Sequence, residues 1–523
     1  MSASFDLITE PWVPVTRLDG SGAMVGLAEL FTSAHTIRGI VGETPPMTAA
    51  LHRLALALLH RVYGPARRQD WAKLWSAEAF DTQALERYLA TSQTSFDLFD
   101  PERPFLQCPT LPSAKKSTVA KLIPDRAVGN NVTLFDHTIA GDYTELDPGA
   151  AARWLVTAHA YDPGGMKTPA TTVKSSKRAP CNNFAVVLVE GGDLKQTLLL
   201  NAVRYDIGDP DDAPGWEHKS PGAEPDKRRP GGRTDLLTWP SRRIRLFPAH
   251  SNGKTVVSEA IMSPGTELDG KLPDIEAMAA YRVPRTISGK PKPGAPLLPV
   301  QLEPVRGVWR HSVELLLVDS WAEERARQRP GALKQLADLA EHGHIPADTV
   351  YTLRVFGQRL DTKASVVEGY FEETVPAPVA LIRAKDDAVT GLVGTAIELA
   401  DDAGYALRAM QRNYRKDMRA EPASVLDLGY WPILPRPFAT FLRALNNARA
   451  TGQSERSAMT EWQRTVLTTV RAAADDWAAG VTTDGRSLSM LGKHQQALHK
   501  RLRQLATRFD AQIAKYLTKD TDE

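Results

Sequence analysis

The chain has 523 residues, 42% hydrophobic and 24% charged, with a formal net charge of only +2. Such a length implies more than one domain, and such a charge restricts any nucleic-acid surface to a local patch. Two cysteines, Cys108 and Cys181, exclude a disulfide framework and a four-thiolate zinc site.

Low cysteine usage fits a reducing cytoplasm. Residues 1–15 show no basic segment followed by an apolar one, so no signal peptide is expected. No apolar run approaches the roughly 20 residues that span a bilayer, so no membrane partner is expected. Residues 5–15 read as an opening strand that Pro11 and Pro14 place near an edge. Residues 25–31 enter a short helix. Residues 47–63 are strongly amphipathic, with Leu51, Leu54, Leu58 and Val62 at helical spacing. His52 and His60 read as helix-surface or partner-contact residues, because no third ligand sits at metal spacing. Residues 71–90 read as further helix and 96–107 as packed loop.

Residues 111–147 are long and poorly periodic. A loop of that length inside a compact domain is usually functional or disordered. It carries Lys115, Lys116 and Lys121, then Asn131, Val132, Thr133, Leu134, Phe135 and Asp136. Leu134 and Phe135 form an apolar pair, either a wedge or anchor, or a plug buried in its own domain.

Residues 161–177 are the stretch around which the chain is organised. A helical pattern over 149–160 runs into Pro163-Gly164-Gly165. Lys167, Lys174 and Lys177 follow, with Thr168, Thr171 and Thr172 between them. Paired glycines let a backbone approach a ligand closely, and free amides beside lysines suit a phosphate or a base edge. The plain alternative is a loop with solvated lysines. Residues 184–189 read as a buried strand, and 197–202 continue the apolar pattern. Residues 207–232 read as a surface excursion with a solvated Lys227-Arg228-Arg229 run. Residues 236–246 alternate into a strand, with Ile244 and Leu246 on one face and Arg243 and Arg245 on the other. A Pro/Gly-rich stretch over 263–299 holds Lys271, Tyr281 and Arg282.

Residues 309–327 and 332–342 look helical. His342 and His344 lie two apart and do not share a helix face, so no metal is expected there. Residues 350–356 are strand-like, 357–365 form a polar tip, and 366–372 resume the strand pattern. Gln358, Thr362 and Lys363 could probe a nucleic-acid groove or simply cap a surface hairpin. From residue 376 four long helical patterns (379–418, 434–449, 457–477 and 486–516) predict an up-and-down bundle. Its polar faces carry Arg408, Arg412, Arg415, Arg443, Arg449, Arg501, Arg503 and Arg508, either solvated or aligned as a phosphate-tracking strip. The expected fold class is α+β: an irregular mixed α/β domain over 1–375, then a four-helix bundle over 376–523.

No GxxxxGK[ST], HExxH, GxSxG or strand-borne GxGxxG motif is present, and no carboxylate cluster for two-metal chemistry can be assembled. That favours a binding module over an enzyme.

Several stretches together resemble one family. They are LITEPWVPV at the start, the YDPGGMKT turn, RTDLLTWPSRRIRL, the GQRLDTKAS tip and the C-terminal helices. The chain resembles the CasA family, large subunits of the type I-E CRISPR surveillance complex Cascade, nearly end to end. The resemblance implies a non-catalytic subunit without cofactor or metal. Such a subunit inspects double-stranded DNA for the short motif beside the target (the PAM) from the minor groove. It helps open the duplex and form the R-loop, and recruits a helicase–nuclease in trans.

Its implied partners are the DNA target, the 5′ end of the crRNA, and the backbone, small and 5′-handle-binding Cascade subunits. The implied DNA-reading residues are Gly164, Gly165, Lys167 and Thr168 in a glycine loop, and Lys271 as a lysine finger. A wedge hairpin adds Gln358, Arg359, Thr362, Lys363 and Ala364. Asn131 to Asp136 match a loop that contacts the foot of the guide RNA and its bound subunit. The family's wedge can carry a glutamine beside an asparagine, whereas the matching tip here is Thr362-Lys363. Two rival readings remain: a structural adaptor that never reads DNA, and a metal-dependent nuclease.

Overall fold

The computed structural model describes residues 3–517 apart from 125, 127–143, 168–171, 207, 271, 287–289, 293, 302–306, 321–325, 386, 422–425 and 482–483. The expected opening strand starts late. Asp6 accepts from the Ile8 amide at 3.0 Å and the Thr9 hydroxyl at 2.9 Å, closing residues 6–10 into a turn. The strand is Val13–Arg17, flanked antiparallel by Gly22–Val25 and Ile37–Ile40.

Helix Pro45–Val62 is the centre of the N-terminal region. Thr44 caps it through the Met47 amide and prolines occupy its first turn. Residues 46–60 are all buried, so the helix is not half-exposed as its leucine spacing suggested. His52 and His60 are therefore core residues and not surface contacts. His52 bonds the Thr48 carbonyl at 2.8 Å, and His60 sets its ring edge-on to Tyr205. Burial pushes their pKa values down to about 4 and about 3. Arg53 on the same helix pairs with Glu276 at 2.9 Å, both side chains 2% exposed.

Other expectations shift for local reasons. The pattern over 71–90 divides into helices Arg68–Ser76 and Thr82–Ser92, because Asp81 caps the second. The apolar run after strand Val186–Glu190 is helix Leu194–Asn201, started by Asp193 accepting from the Gln196 amide at 2.7 Å. The 207–232 excursion is anchored by buried Trp216, which stacks on Phe105, and by Arg228, which pairs with buried Asp235 and lies over Trp239. Among the described residues of 309–327, helix is present only as a short turn, Val308–His311, and Ser312–Leu316; Arg327–Gln328 is a strand.

Two long antiparallel hairpins position the site. Arg242–Ser251 pairs with Lys254–Pro264 around Asn252 and Gly253, both at positive φ (49° and 77°), the hairpin turn that this dipeptide favours. Ile244 and Leu246 are buried as the alternation implied, and so is Arg243. Val350–Leu360 pairs with Val367–Pro378 on one side and Val186–Glu190 on the other. The expected long C-terminal helices are Asp387–Met418, Pro435–Ala450, Arg456–Ala479 and Gly485–Leu517. Trp309 enters their aromatic core, 4.7 Å from Phe438 and 5.8 Å from Trp462 between ring centroids. Beside it, Arg310 forks onto Asp401 at 2.6 and 2.7 Å.

Several of the bundle arginines are occupied within the chain. Arg508 pairs with Glu398 and Asp402, and Arg449 pairs with Glu455. Arg443, Arg501 and Arg503 are exposed. Among the described residues no helix is long and apolar enough to cross a membrane.

Candidate nucleic-acid interface

Helix Pro148–Tyr161 delivers the glycine turn. Asp147 caps it through the Ala150 amide at 2.8 Å, and it packs along the central buried helix. After Asp162 and Pro163 the chain turns at Gly164 and Gly165. Gly165–Met166 then pairs antiparallel with Ser175–Ser176, and the Lys167 amide donates to Lys174 at 2.8 Å. Gly165 has φ +103°, a conformation that side chains rarely adopt. A Cβ on Gly164 would stand 3.2–3.3 Å from the Arg178 amide nitrogen and the carbonyl oxygens of Ala364 and Ser176.

Part of that crowding comes from the turn's own returning arm, and part because the turn is docked on the second candidate element. The Gly164 amide donates to the Ala364 carbonyl at 2.9 Å, and a Cβ on Gly165 would lie 3.4 Å from that of Ser365. Two stretches far apart in sequence therefore share one site. The tip itself is closed by Asp361, whose carboxylate accepts from the amides of Ser365 (2.6 Å), Val366 (2.8 Å) and Lys363 (3.3 Å). Those amides hold the Asp361 pKa below its usual value. Ala364 takes φ 54° to complete the turn. Thr362 and Lys363 are left exposed at the apex, and Lys363 has no ion-pair partner among the described residues.

Not every candidate faces outward. Gln358 is half-buried; its amide nitrogen donates to the Tyr161 carbonyl at 2.7 Å and to Asn182 Oδ1 at 2.6 Å. It is a strut between hairpin and helix end, not a groove probe, because its donor is spent inside the protein. Lys167 is likewise turned in. Its ammonium lies 2.6 Å from Asp162, with side-chain exposures of 10% and 6%. Burial lowers its pKa, and the Asp162 carboxylate opposes that shift. As placed it braces the loop, so the expectation of an outward-facing lysine is corrected at this position.

Arg359 pairs across the hairpin with Glu368 at 2.9 Å, exposed on both sides, a bridge worth at most about 1 kcal/mol. Lys177 pairs with Glu267 at 2.7 Å, while Lys174 is exposed. Thr168, Lys271 and Asn131 to Asp136 lie outside the described residues.

Beside the joined turn and tip opens a cleft of about 810 Å³, bordered by Gly165, Ser176, Lys177, Lys227, Thr266 and Lys363. Its floor includes Arg242, buried against Asp162. Neither Asp162 nor Arg242 stood out in the sequence. The signal available was an aspartate immediately after a helix, and an arginine at the start of a strand where the alternation pointed inward. Among the described residues no group of three or more His, Cys, Asp and Glu is placed to hold a metal ion.

The model of the CRISPR-associated protein Cse1 family matches residues 6–473. The chain belongs to the Cse1 family. A CasA/Cse1 protein of Thermus thermophilus is 32% identical over 425 residues, covering 80% of this chain and 79% of that one. The Cse1 structure from Acidimicrobium ferrooxidans superposes with a TM-score of 0.80 at 25% identity, over 97% of this chain and 99% of the other. A chain of a CRISPR RNA-guided surveillance complex has the same fold, with a TM-score of 0.73 at 20% identity over 95% and 99% of the two chains. The Cse1 match begins near the Asp6 turn and extends into helix Arg456–Ala479, so it takes in both the glycine turn and the hairpin tip.

Proposed function

We propose that this chain is the subunit of a crRNA-guided CRISPR surveillance complex that reads the PAM of double-stranded DNA from the minor groove, without catalysing a reaction itself. The observation that carries the reading is the Gly164 amide to Ala364 carbonyl bond. It joins a glycine turn to an exposed hairpin apex beside an open cleft. The family assignment, and a surveillance-complex chain with the same fold, support assembly with other subunits.

The division of labour follows from chemistry. The minor groove presents chiefly an A·T against G·C pattern, so a backbone-rich turn can sense the guanine amino group by fit. Thr362 and Lys363 stand at the apex, where insertion would unstack the first pair at a cost of a few kcal/mol. Exchange of a DNA duplex for an RNA–DNA duplex is nearly balanced, so guide pairing can offset that cost. Lys363 and Lys174, both exposed, would meet phosphate, a contact without sequence information. Asn131 to Asp136 would meet the 5′ end of the crRNA, and Lys271 would complete the reading set. Opening of the R-loop would then recruit the helicase–nuclease. The four C-terminal helices, from about residue 376, would form the second unit and face the neighbouring subunits.

The test compares the guide-loaded complex with and without this chain on two duplexes, one with a permissive flank and one with a scrambled flank. Preference for the permissive flank should depend on the chain. Equal binding in its absence would remove the motif-reading role and leave a docking adaptor.

A further inference from the structure

We infer that Arg242 is the positioning residue of the glycine turn, the side chain that holds both arms of the turn in the shape needed to read a base pair; the inference rests on the function proposed above. Arg242 is 2% exposed, so it cannot itself reach DNA. Its donors instead converge on the turn. Nε donates to the Asp162 carboxylate. One terminal nitrogen is shared among the carbonyls of Asp162 (3.2 Å), Pro163 (3.0 Å) and Lys177 (2.9 Å). The other donates to the carbonyl of Ser241 at 2.7 Å.

The acceptors belong to both sides of the loop. Asp162 and Pro163 lead into Gly164, and Lys177 follows the returning strand Ser175–Ser176. One planar guanidinium therefore sets the separation of the loop's two ends, which its fixed donor fork can do and a single ammonium cannot. The anchor is rigid, because Arg242 opens a strand paired along its whole length with Lys254–Pro264. Lys167 closes over the same carboxylate from the loop side at 2.6 Å. Two cations thus share one buried carboxylate, which braces the loop from its anchor and from its inner side.

A turn that senses a base edge by fit must keep its shape when the wrong pair arrives. Loosening it should cost the fit to the correct pair. Discrimination falls while the phosphate-driven part of binding persists.

The test uses the guide-loaded complex carrying Arg242→Lys, with Gly165→Asp as reference, and the free chains for amide exchange and melting. The expected result for Arg242→Lys is a cooperative melt, faster exchange at the Gly164 amide, and an affinity ratio between permissive and scrambled flanks reduced about tenfold, the scale of one base-pair contact. Affinity for the scrambled flank should be unchanged. Should Arg242→Lys fail to fold, Asp162→Asn carries the same readouts, since it keeps the residue's size while removing the charge that fixes the guanidinium.

A folded variant with an unchanged flank ratio, while Gly165→Asp loses that ratio, overturns the positioning role and leaves the reading of DNA intact. If Gly165→Asp also keeps the ratio, the turn does not read DNA, and both proposals fall.

Discussion

The side-chain amide of Gln358 donates to the main-chain carbonyl of Tyr161 at 2.7 Å, tying the rising strand of the long hairpin to the last residue of the helix that launches the glycine turn. A second bond to Asn182 spends the rest of its donor capacity. Gln358→Ala would leave the half-buried Asn182 Oδ1 unmatched, while Asn182 Nδ2 still donates to the Tyr161 carbonyl at 2.8 Å, a loss of about 1–3 kcal/mol. Urea denaturation should register that loss. A glutamine that read bases directly would instead leave the unfolding curve alone and weaken only DNA binding.

Two lysines near the turn should behave oppositely. Lys363 is exposed, so Lys363→Ala should change stability by no more than about 0.5 kcal/mol. In the assembled complex it should lower the slope of log affinity against log salt by about one. Lys167→Ala should destabilise the chain by about 1–3 kcal/mol, because the buried Asp162 carboxylate loses one of its two cations. Paired melts and salt titrations separate the two roles. Equal behaviour of the two variants would contradict the placement described here.

Gly165→Asp adds a Cβ at φ +103° beside Ser365, with strain of about 1–3 kcal/mol. It also sets a carboxylate against the cleft. Target binding should drop while the chain still melts cooperatively. An unfolded variant would make that drop uninformative, so the melt is measured first.

The buried histidines give a pH signature. His52 and His60 have folded pKa values of about 4 and about 3, below the ordinary value of 6.5, because burial disfavours the charged ring. The unfolded chain takes up protons at these positions as pH falls below 6.5, and the folded chain does not until pH approaches 4. Stability is therefore full above pH 6.5 and declines as pH falls from there through about 4 to 3. One pKa unit is worth about 1.4 kcal/mol, so the decline amounts to several kcal/mol. Denaturation midpoints from pH 7.5 to 4.5 test this, and His52→Met should flatten the curve.

Elements with strong local signals were legible in the sequence. The four C-terminal helices, the buried strand and the Gly164-Gly165 turn emerged from periodicity and glycine placement alone. The failures share one cause, which is that side chains far apart in sequence decide who faces water. Leucine spacing implied an outer face on helix Pro45–Val62, yet neighbouring helices and sheets cover it completely. Gln358 looked like a probe because its acceptors, Tyr161 and Asn182, lie in a different stretch of chain. Lys167 looked solvated because neither Asp162 nor Arg242 could be seen to converge on it. The link that makes a site of the glycine turn and the hairpin apex is a main-chain bond, to which side-chain pattern is blind.

Trp309 has a practical consequence for anyone dividing this protein. Its indole is 2% exposed, among Phe438, Trp462 and Trp431, so the C-terminal helices borrow part of their interior from a segment upstream of the long hairpin. A recombinant fragment starting at residue 376 would be made with an indole-sized hole at its centre. The helical portion is thus not an interchangeable cassette, and a graft between relatives must carry the 308–316 segment along with it.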